Sequence, residues 1–174
     1  MHVPQSIEAR VELEQLMSVK KNFVTPQSNR PVMGIIQDSL VGAYLFTHRN
    51  VFFARDEVMQ LLMHVHNWDG HIPVPAVATP TTALWTGKQM MSLIMPDTLD
   101  LSLLSKDDSD PLLSPDDNSV LIRNGELLAG RFTKKHIGKS YNSILHKIWK
   151  QEGAERLAEF MNAIQRMVDY WLTQ

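Results

Sequence analysis

The stretch SVLIRNGELLAGRF, residues 119–132, settles more of this fold than any other in the sequence. Two apolar runs flank Asn124-Gly125. That dipeptide tolerates the positive φ angles a two-residue turn needs, so the stretch is expected to be a β-hairpin, about 119–132. The chain then runs directly into TKKHIGKS (133–140), expected to be a basic loop.

Outward from the hairpin the signals are mostly helical. On the C-terminal side, Ile144, Leu145, Ile148 and Trp149 form one helical set. Leu157, Phe160, Met161, Ile164, Val168, Trp171 and Leu172 form another, with Gly153 as the expected break. On the N-terminal side, residues 96–118 are rich in Asp, Ser and Pro and are expected to be a surface loop. TGKQMMSLIM (86–95) fits a short helix or a strand equally well. The prolines at 73, 75 and 80 predict extended chain laid over a surface. A helix is expected over 54–66, with Val58, Leu61, Leu62 and Val65 on one face. A second, apolar on most sides and therefore buried, is expected over 34–46. Pro26 and Pro31 forbid a regular helix in between and enclose the turn formers Gln27, Ser28 and Asn29. Residues 7–18 form another helix, capped by Ser6. The sum is an α+β fold: several helices, one small antiparallel element and long ordered loops.

Composition bounds the function. The chain has 174 residues, enough to close a core, with 44% apolar and 21% charged residues and a net charge of −2. That balance offers no global basic surface. The absence of cysteine excludes a disulfide scaffold and a thiol nucleophile. No apolar run reaches the roughly 18 residues of a membrane span. The first fifteen residues carry acids and no apolar segment of the kind a signal peptide has. Ten methionines hint at adaptable apolar contacts with partners.

Several constellations invite a chemical reading. His64, His66 and His71 with Asp69 suggest a metal site, and with it a metal-dependent hydrolase. However, His64 and His66 lie on different faces of a helix, where i, i+4 spacing is needed. Gly138-Lys139-Ser140 matches the end of a phosphate-binding loop, yet the position five residues before Gly138 is Thr133. Gly87-Lys88 fails in the same way at Thr82. The acids Asp107, Asp108, Asp110, Asp116 and Asp117 lack the glycine and terminal glutamate of a calcium loop and read as a solvated charged loop. Lys134 and Lys135, with Arg131 and Lys139 close by, offer a phosphate contact or a solvated face. No self-sufficient active site emerges from the residues alone.

Four stretches resemble one family: HVPQSIEARVEL (2–13), VTPQSNRPVMGIIQDSLVGAYLFT (24–47), WDGHIPVPAV with LWTGKQMMSLIMP (68–96), and LLSPDDNSVLIRNGELLAGRFTKKHIGKS (112–140). In this order and spacing they resemble the largest subunit of multisubunit DNA-directed RNA polymerases. The wording is most similar to RNA polymerase II, and GAYLFT also resembles polymerase III, archaeal and viral relatives. The resemblance implies a fragment: residues 1–23 as the end of the active-site domain and 24–174 as the pore domain. In the family, the NADFDGD motif, whose aspartates hold the catalytic Mg2+, lies just upstream of the HVPQS segment. The fragment is thus expected to carry no catalytic residue and to bind no cofactor itself, with Mg2+ acting in the assembled enzyme.

The pore domain of the family lines a channel below the active site, for nucleotide entry and for the backtracked RNA 3′ end. Lys134 and Lys135 match its pore-facing lysine pair, and Gln27, Ser28 and Asn29 match a supporting loop near the active site. The family's small-residue run after the pair reads here as Gly138-Lys139-Ser140-Tyr141-Asn142. The implied partners are the other polymerase subunits, especially the second-largest, together with template DNA, RNA, nucleoside triphosphates and a transcript cleavage factor, and no membrane. The implied location is the nucleus in a eukaryote, or the cytoplasm for an archaeal or viral relative. A stand-alone protein-binding module reusing the same fold is the competing reading.

Overall fold

In the computed structural model, the described residues are 2–66, 68–104, 110, 112 and 114–174. In chain order they form α1 (Ile7–Leu16), a 3-10 turn (Val19–Asn22), β1 (Val24–Thr25), β2 (Arg30–Pro31), α2 (Gln37–Phe46), β3 (Phe52–Phe53) and α3 (Arg55–Leu62). These are followed by β4 (Val77–Ala78), β5 (Ala83–Thr86), α4 (Gly87–Ser92), β6 (Leu101–Leu103), β7 (Val120–Arg123), β8 (Glu126–Ala129), α5 (Lys134–Ile137) and α6 (Ile144–Leu172). All strand pairs are antiparallel, in three small sheets ordered β1-β2, β3-β5-β4 and β6-β7-β8. The fold is α+β, as the pattern predicts. Among the described residues no helix is long and apolar enough to cross a membrane.

The hairpin forms as its sequence dictates. Asn124 (φ 49°) and Gly125 (φ 75°) both take positive φ, the signature of the tight turn whose twist matches its strands. The turn is tied down from outside by Gly125 N–H donating to Leu99 O at 3.0 Å and Asn124 N–H donating to Asp100 Oδ1 at 2.9 Å. The register slips between Leu121 and Ile122, a bulge in which Leu128 is the extra residue of β8; the alternation of the strand turns it outward, and it is 47% exposed.

The long C-terminal helix organises the core. Its apolar face buries Ile144, Leu145, Ile148, Leu157, Phe160, Ile164, Met167 and Val168. Gly153, at φ 88° and ψ −177°, breaks it where the sequence places the break. Helix α2 lies against it so closely that a Cβ on Gly42 would come within 2.4 Å of Val168 Cγ1. Phe46 stacks edge-on against Trp171 at 5.3 Å and tilts against Phe53 at 5.1 Å, which brings β3 into the same cluster. Helix α3 joins through Val58, Leu61 and Leu62, all buried, and through Tyr170 Oη donating to Gln60 Oε1 at 2.9 Å. The proline-rich segment does lie extended over the surface. Trp85 Nε1 donates to Pro73 O at 2.7 Å, and Gln89 Nε2 donates to Val74 O at 2.8 Å.

One open choice is resolved and three expectations need correction. Of the helix and strand alternatives for 86–95, the helix forms over Gly87–Ser92, because Thr86 and Gln89 cap each other's backbone amides. The 34–46 helix is shorter and only one side is buried: Gly42, Ala43 and Phe46 are inside, while Val41 and Leu45 are 56% and 43% exposed. The 96–118 segment is not all surface loop. Leu101–Leu103 forms an edge strand on β7, and Leu99 and Leu101 are core residues. The basic stretch 133–140 begins as a helical turn, Lys134–Ile137, not as a loop.

Candidate functional site

The basic turn α5 is positioned by its approach. Phe132 is fully buried, and its N–H donates to Thr47 Oγ1 at 3.0 Å. The next turn closes through Thr133 O, which accepts from His136 N at 2.9 Å and from Ile137 N at 3.1 Å. The buried ring of His136 fills the space behind it. Its Nδ1 lies 3.0 Å from Arg131 O and 3.2 Å from Thr133 N; protonated, it donates to the Arg131 carbonyl, and unprotonated it accepts the Thr133 N–H, one or the other according to tautomer. Burial holds the His136 pKa below the ordinary histidine value. The Arg131 carbonyl opposes that shift, and neighbouring Lys135 adds to it.

On this fixed turn Lys134 and Lys135 point outward and are exposed. Among the described residues neither ammonium has a carboxylate within ion-pairing distance. Arg131 is not a third free cation. Its guanidinium lies 4.8 Å from the Tyr44 ring centroid and donates to Asp116 O and to Asn118 Oδ1, while its buried Nε has no partner among the described residues. Lys139 is exposed on the segment that follows.

Gln27, Ser28 and Asn29 form the exposed tip of the β1–β2 hairpin. Asn29 takes φ 50°, and its N–H donates to Thr25 O at 2.9 Å. No side-chain bond links this tip to the lysine pair among the described residues. The chain leaving the tip does meet the chain leaving the basic turn, with Ile35 N–H donating to Ile137 O at 3.0 Å. A Cβ on Gly34 would stand 2.9 Å from the Gly138 carbonyl carbon.

The other candidates separate in space. His64 stacks on Tyr170 at 4.4 Å, while the Asp69 carboxylate accepts the His71 N–H at 2.9 Å in a local turn. Among the described residues no three His, Asp or Glu side chains converge as a metal would require. Gly138 ends α5, with its N–H donating to Lys134 O at 3.0 Å, so its amide is not open to a phosphate. Lys88 is also occupied, since its Nζ lies 2.6 Å from Asp117 Oδ2.

That pair corrects the acidic run. Asp107 and Asp108 lie outside the described residues, but Asp117 is 5% exposed and is no part of a solvated loop. Its carboxylate holds Lys88, lies 3.9 Å from Arg49 Nη2, and accepts the Gly130 N–H at 2.7 Å. Sequence reasoning missed this junction. The only local hint is the turn chemistry of Ser114-Pro115-Asp116-Asp117, and the partners come from 29 residues upstream and 13 downstream.

Comparison with known proteins agrees with the resemblance. The family described as RNA polymerase Rpb1, domain 3, matches residues 22–174. The chain is also 37% identical over 172 residues to the DNA-directed RNA polymerase II subunit RPB1-B of Trypanosoma brucei brucei, a match covering 99% of this chain and 9% of that subunit's length. With the family match spanning all but the first 21 residues and the relative covering 99% of the chain, it belongs to the RNA polymerase Rpb1 family and represents a domain of the largest subunit.

Proposed function

We propose that this chain is the wall of the pore below the active site of a DNA-directed RNA polymerase, with Lys134 and Lys135 meeting the phosphates that pass. The observation that carries this reading is the pair itself: two exposed, unpaired ammonium groups, among the described residues, on a short turn whose backbone is fixed from three sides. Fixed cations beside a narrow passage focus potential and raise the local concentration of polyanions such as nucleoside triphosphates or an extruded RNA end. The turn performs no bond making. Nucleotidyl transfer falls to the assembled enzyme, whose Mg2+ would be held by the aspartates of a motif that this sequence lacks.

On this reading residues 1–23 close the active-site domain and 24–174 form the pore domain. Helix α1 buries none of its residues within the chain, which suits an element whose packing partners lie in a neighbouring domain. The Gln27–Asn29 tip is exposed for a supporting contact near the catalytic centre. The partners are then the other polymerase subunits, the second-largest above all, with template, transcript and cleavage factor. The similarity to a eukaryotic polymerase II subunit favours the nucleus. The comparisons lend no support to a stand-alone binding module.

The test is the double substitution Lys134→Ala/Lys135→Ala in the complete polymerase. The expected result is a raised nucleotide KM with kcat retained, an effect that shrinks as salt rises, and slower cleavage of backtracked RNA. Elongation and cleavage rates unchanged across nucleotide concentrations would remove the lysines from the channel wall.

A further inference from the structure

The approach to the basic turn passes over the buried Asp117, and each of its polar atoms is committed. Oδ2 lies 2.6 Å from Lys88 Nζ, whose side chain is 14% exposed, and Oδ1 accepts the Gly130 N–H at 2.7 Å. The backbone oxygen accepts the Arg131 N–H at 3.0 Å, and the backbone N–H donates to Ser114 O at 3.2 Å. Arg49 closes the far side, with Nη2 donating to Ser114 O at 3.1 Å and lying 3.9 Å from Oδ1. Asp117 adopts φ 56°, a left-handed conformation that Asp and Asn accept more readily than other residues with side chains. Gly130 takes φ 95°, and a Cβ there would stand 2.5 Å from Ser119 O, so the chain passes this point in only one way.

Asp117 therefore grips the two residues, Gly130 and Arg131, from which the chain enters the lysine turn. After them come the Phe132 N–H on Thr47 and the Arg131 carbonyl beside His136, and then Lys134. Neutralising this buried carboxylate would leave Lys88, the closer of its two cationic neighbours and itself largely buried, without its counter-charge. Helix α4, through Lys88, and the loop after α2, through Arg49, are thereby tied to the same carboxylate.

We propose that Asp117 is a positioning residue for the Lys134–Lys135 turn: its ion pair with Lys88 and its two backbone bonds to Gly130 and Arg131 fix where the two ammonium groups stand. The functional half of this inference rests on the pore reading above; the positioning half does not.

The test uses Asp117→Asn, which keeps the shape, the preference for this φ and an oxygen for Gly130 N–H, but removes the charge opposite Lys88. Hydrogen exchange of the complete polymerase is measured first. The expected result is exchange about tenfold faster or more at the amides of residues 130–138, with the amides of α2 and α6 unchanged, a local opening and not a global one. Adding Lys88→Met, which removes the orphaned ammonium, is expected to bring exchange back toward the parent. Unchanged exchange at 130–138, or equal acceleration throughout the core, overturns the positioning role.

Nucleotide KM is measured second. Asp117→Asn is expected to raise it about two- to fivefold, the scale of a displaced exposed charge contact, and to add nothing in the Lys134→Ala/Lys135→Ala background. An additive rise there would mean that Asp117 acts on something other than the lysines, and would overturn the proposal. If the lysine substitutions leave KM unmoved, the pore reading falls while the exchange result still decides the positioning.

Discussion

Helices α1 and α6 are both legible in the sequence, yet they stand in opposite relation to the rest of the molecule. Helix α1 is well made locally: Ser6 Oγ accepts the Ala9 N–H at 3.1 Å, and Glu8 sits in its first turn. It buries nothing, and Ile7, Leu16 and Met17 are 79%, 68% and 69% exposed. Helix α6 has a comparable cap at Ser143 and carries a broken backbone at Gly153, but it buries most of its apolar face against α2, α3 and α5. Capping and periodicity tell where a helix forms. Only the partners tell whether it contributes to the stability of the chain, because an isolated short helix is marginal in water.

That contrast can be tested most severely at Phe160, fully buried on α6. Phe160→Ala is expected to cost about 3–5 kcal/mol in denaturant unfolding of the chain, through lost burial and a residual cavity. A cost near zero would mean that α6 is no more anchored than α1. Gly153→Ala isolates the backbone contribution, because a Cβ there would meet nothing within 4 Å. The expected cost is about 1–3 kcal/mol, from forcing a side chain into a region of φ and ψ that glycine alone occupies freely.

A smaller effect sharpens the same contrast by pH. His136 on α5 and His146 on α6 are both buried and both titrate below the usual histidine value; burial is the main cause in each, reinforced by Lys135 and Lys150 respectively. Below about pH 6.5 the unfolded chain takes up protons at these histidines that the folded chain refuses. Stability is therefore fully present above that pH and falls as pH drops toward the folded values. Replacing both histidines with Gln should flatten this slope in a series of unfolding curves. The smallest change belongs to α1, where Ile7→Ala or Leu16→Ala should shift stability by no more than about 0.5 kcal/mol.

What the sequence disclosed follows the same division between local and distant causes. The hairpin was legible because Asn124-Gly125 carries its turn in two adjacent residues, and the break in α6 because Gly153 interrupts a helical period. Strand β6 was hidden because Leu101–Leu103 sits among Asp, Ser and Pro. It becomes a strand only by pairing with Val120–Ile122 across a long separation. The helical turn of Lys134–Ile137 was hidden because its support is the His136 ring and the Thr47 hydroxyl, neither of which is a propensity signal. At the candidate site the lysine pair could be named from the resemblance, but the carboxylate beneath its approach could not. Asp117 stands in an acidic stretch of ordinary surface composition and reveals itself only when Lys88 and Gly130 arrive beside it.

The place of α6 in the order of the chain bears on how the protein is made. During translation it emerges after every other element with which it packs. At 5–20 residues per second, the inward faces of α2 and α3 wait roughly ten seconds before the helix that covers them exists. Met90, Met91 and Phe46 belong to the same unfinished core. A nascent chain in this state presents the kind of apolar surface that chaperones hold, and this core can close only once α6, the last of these elements in chain order, has emerged.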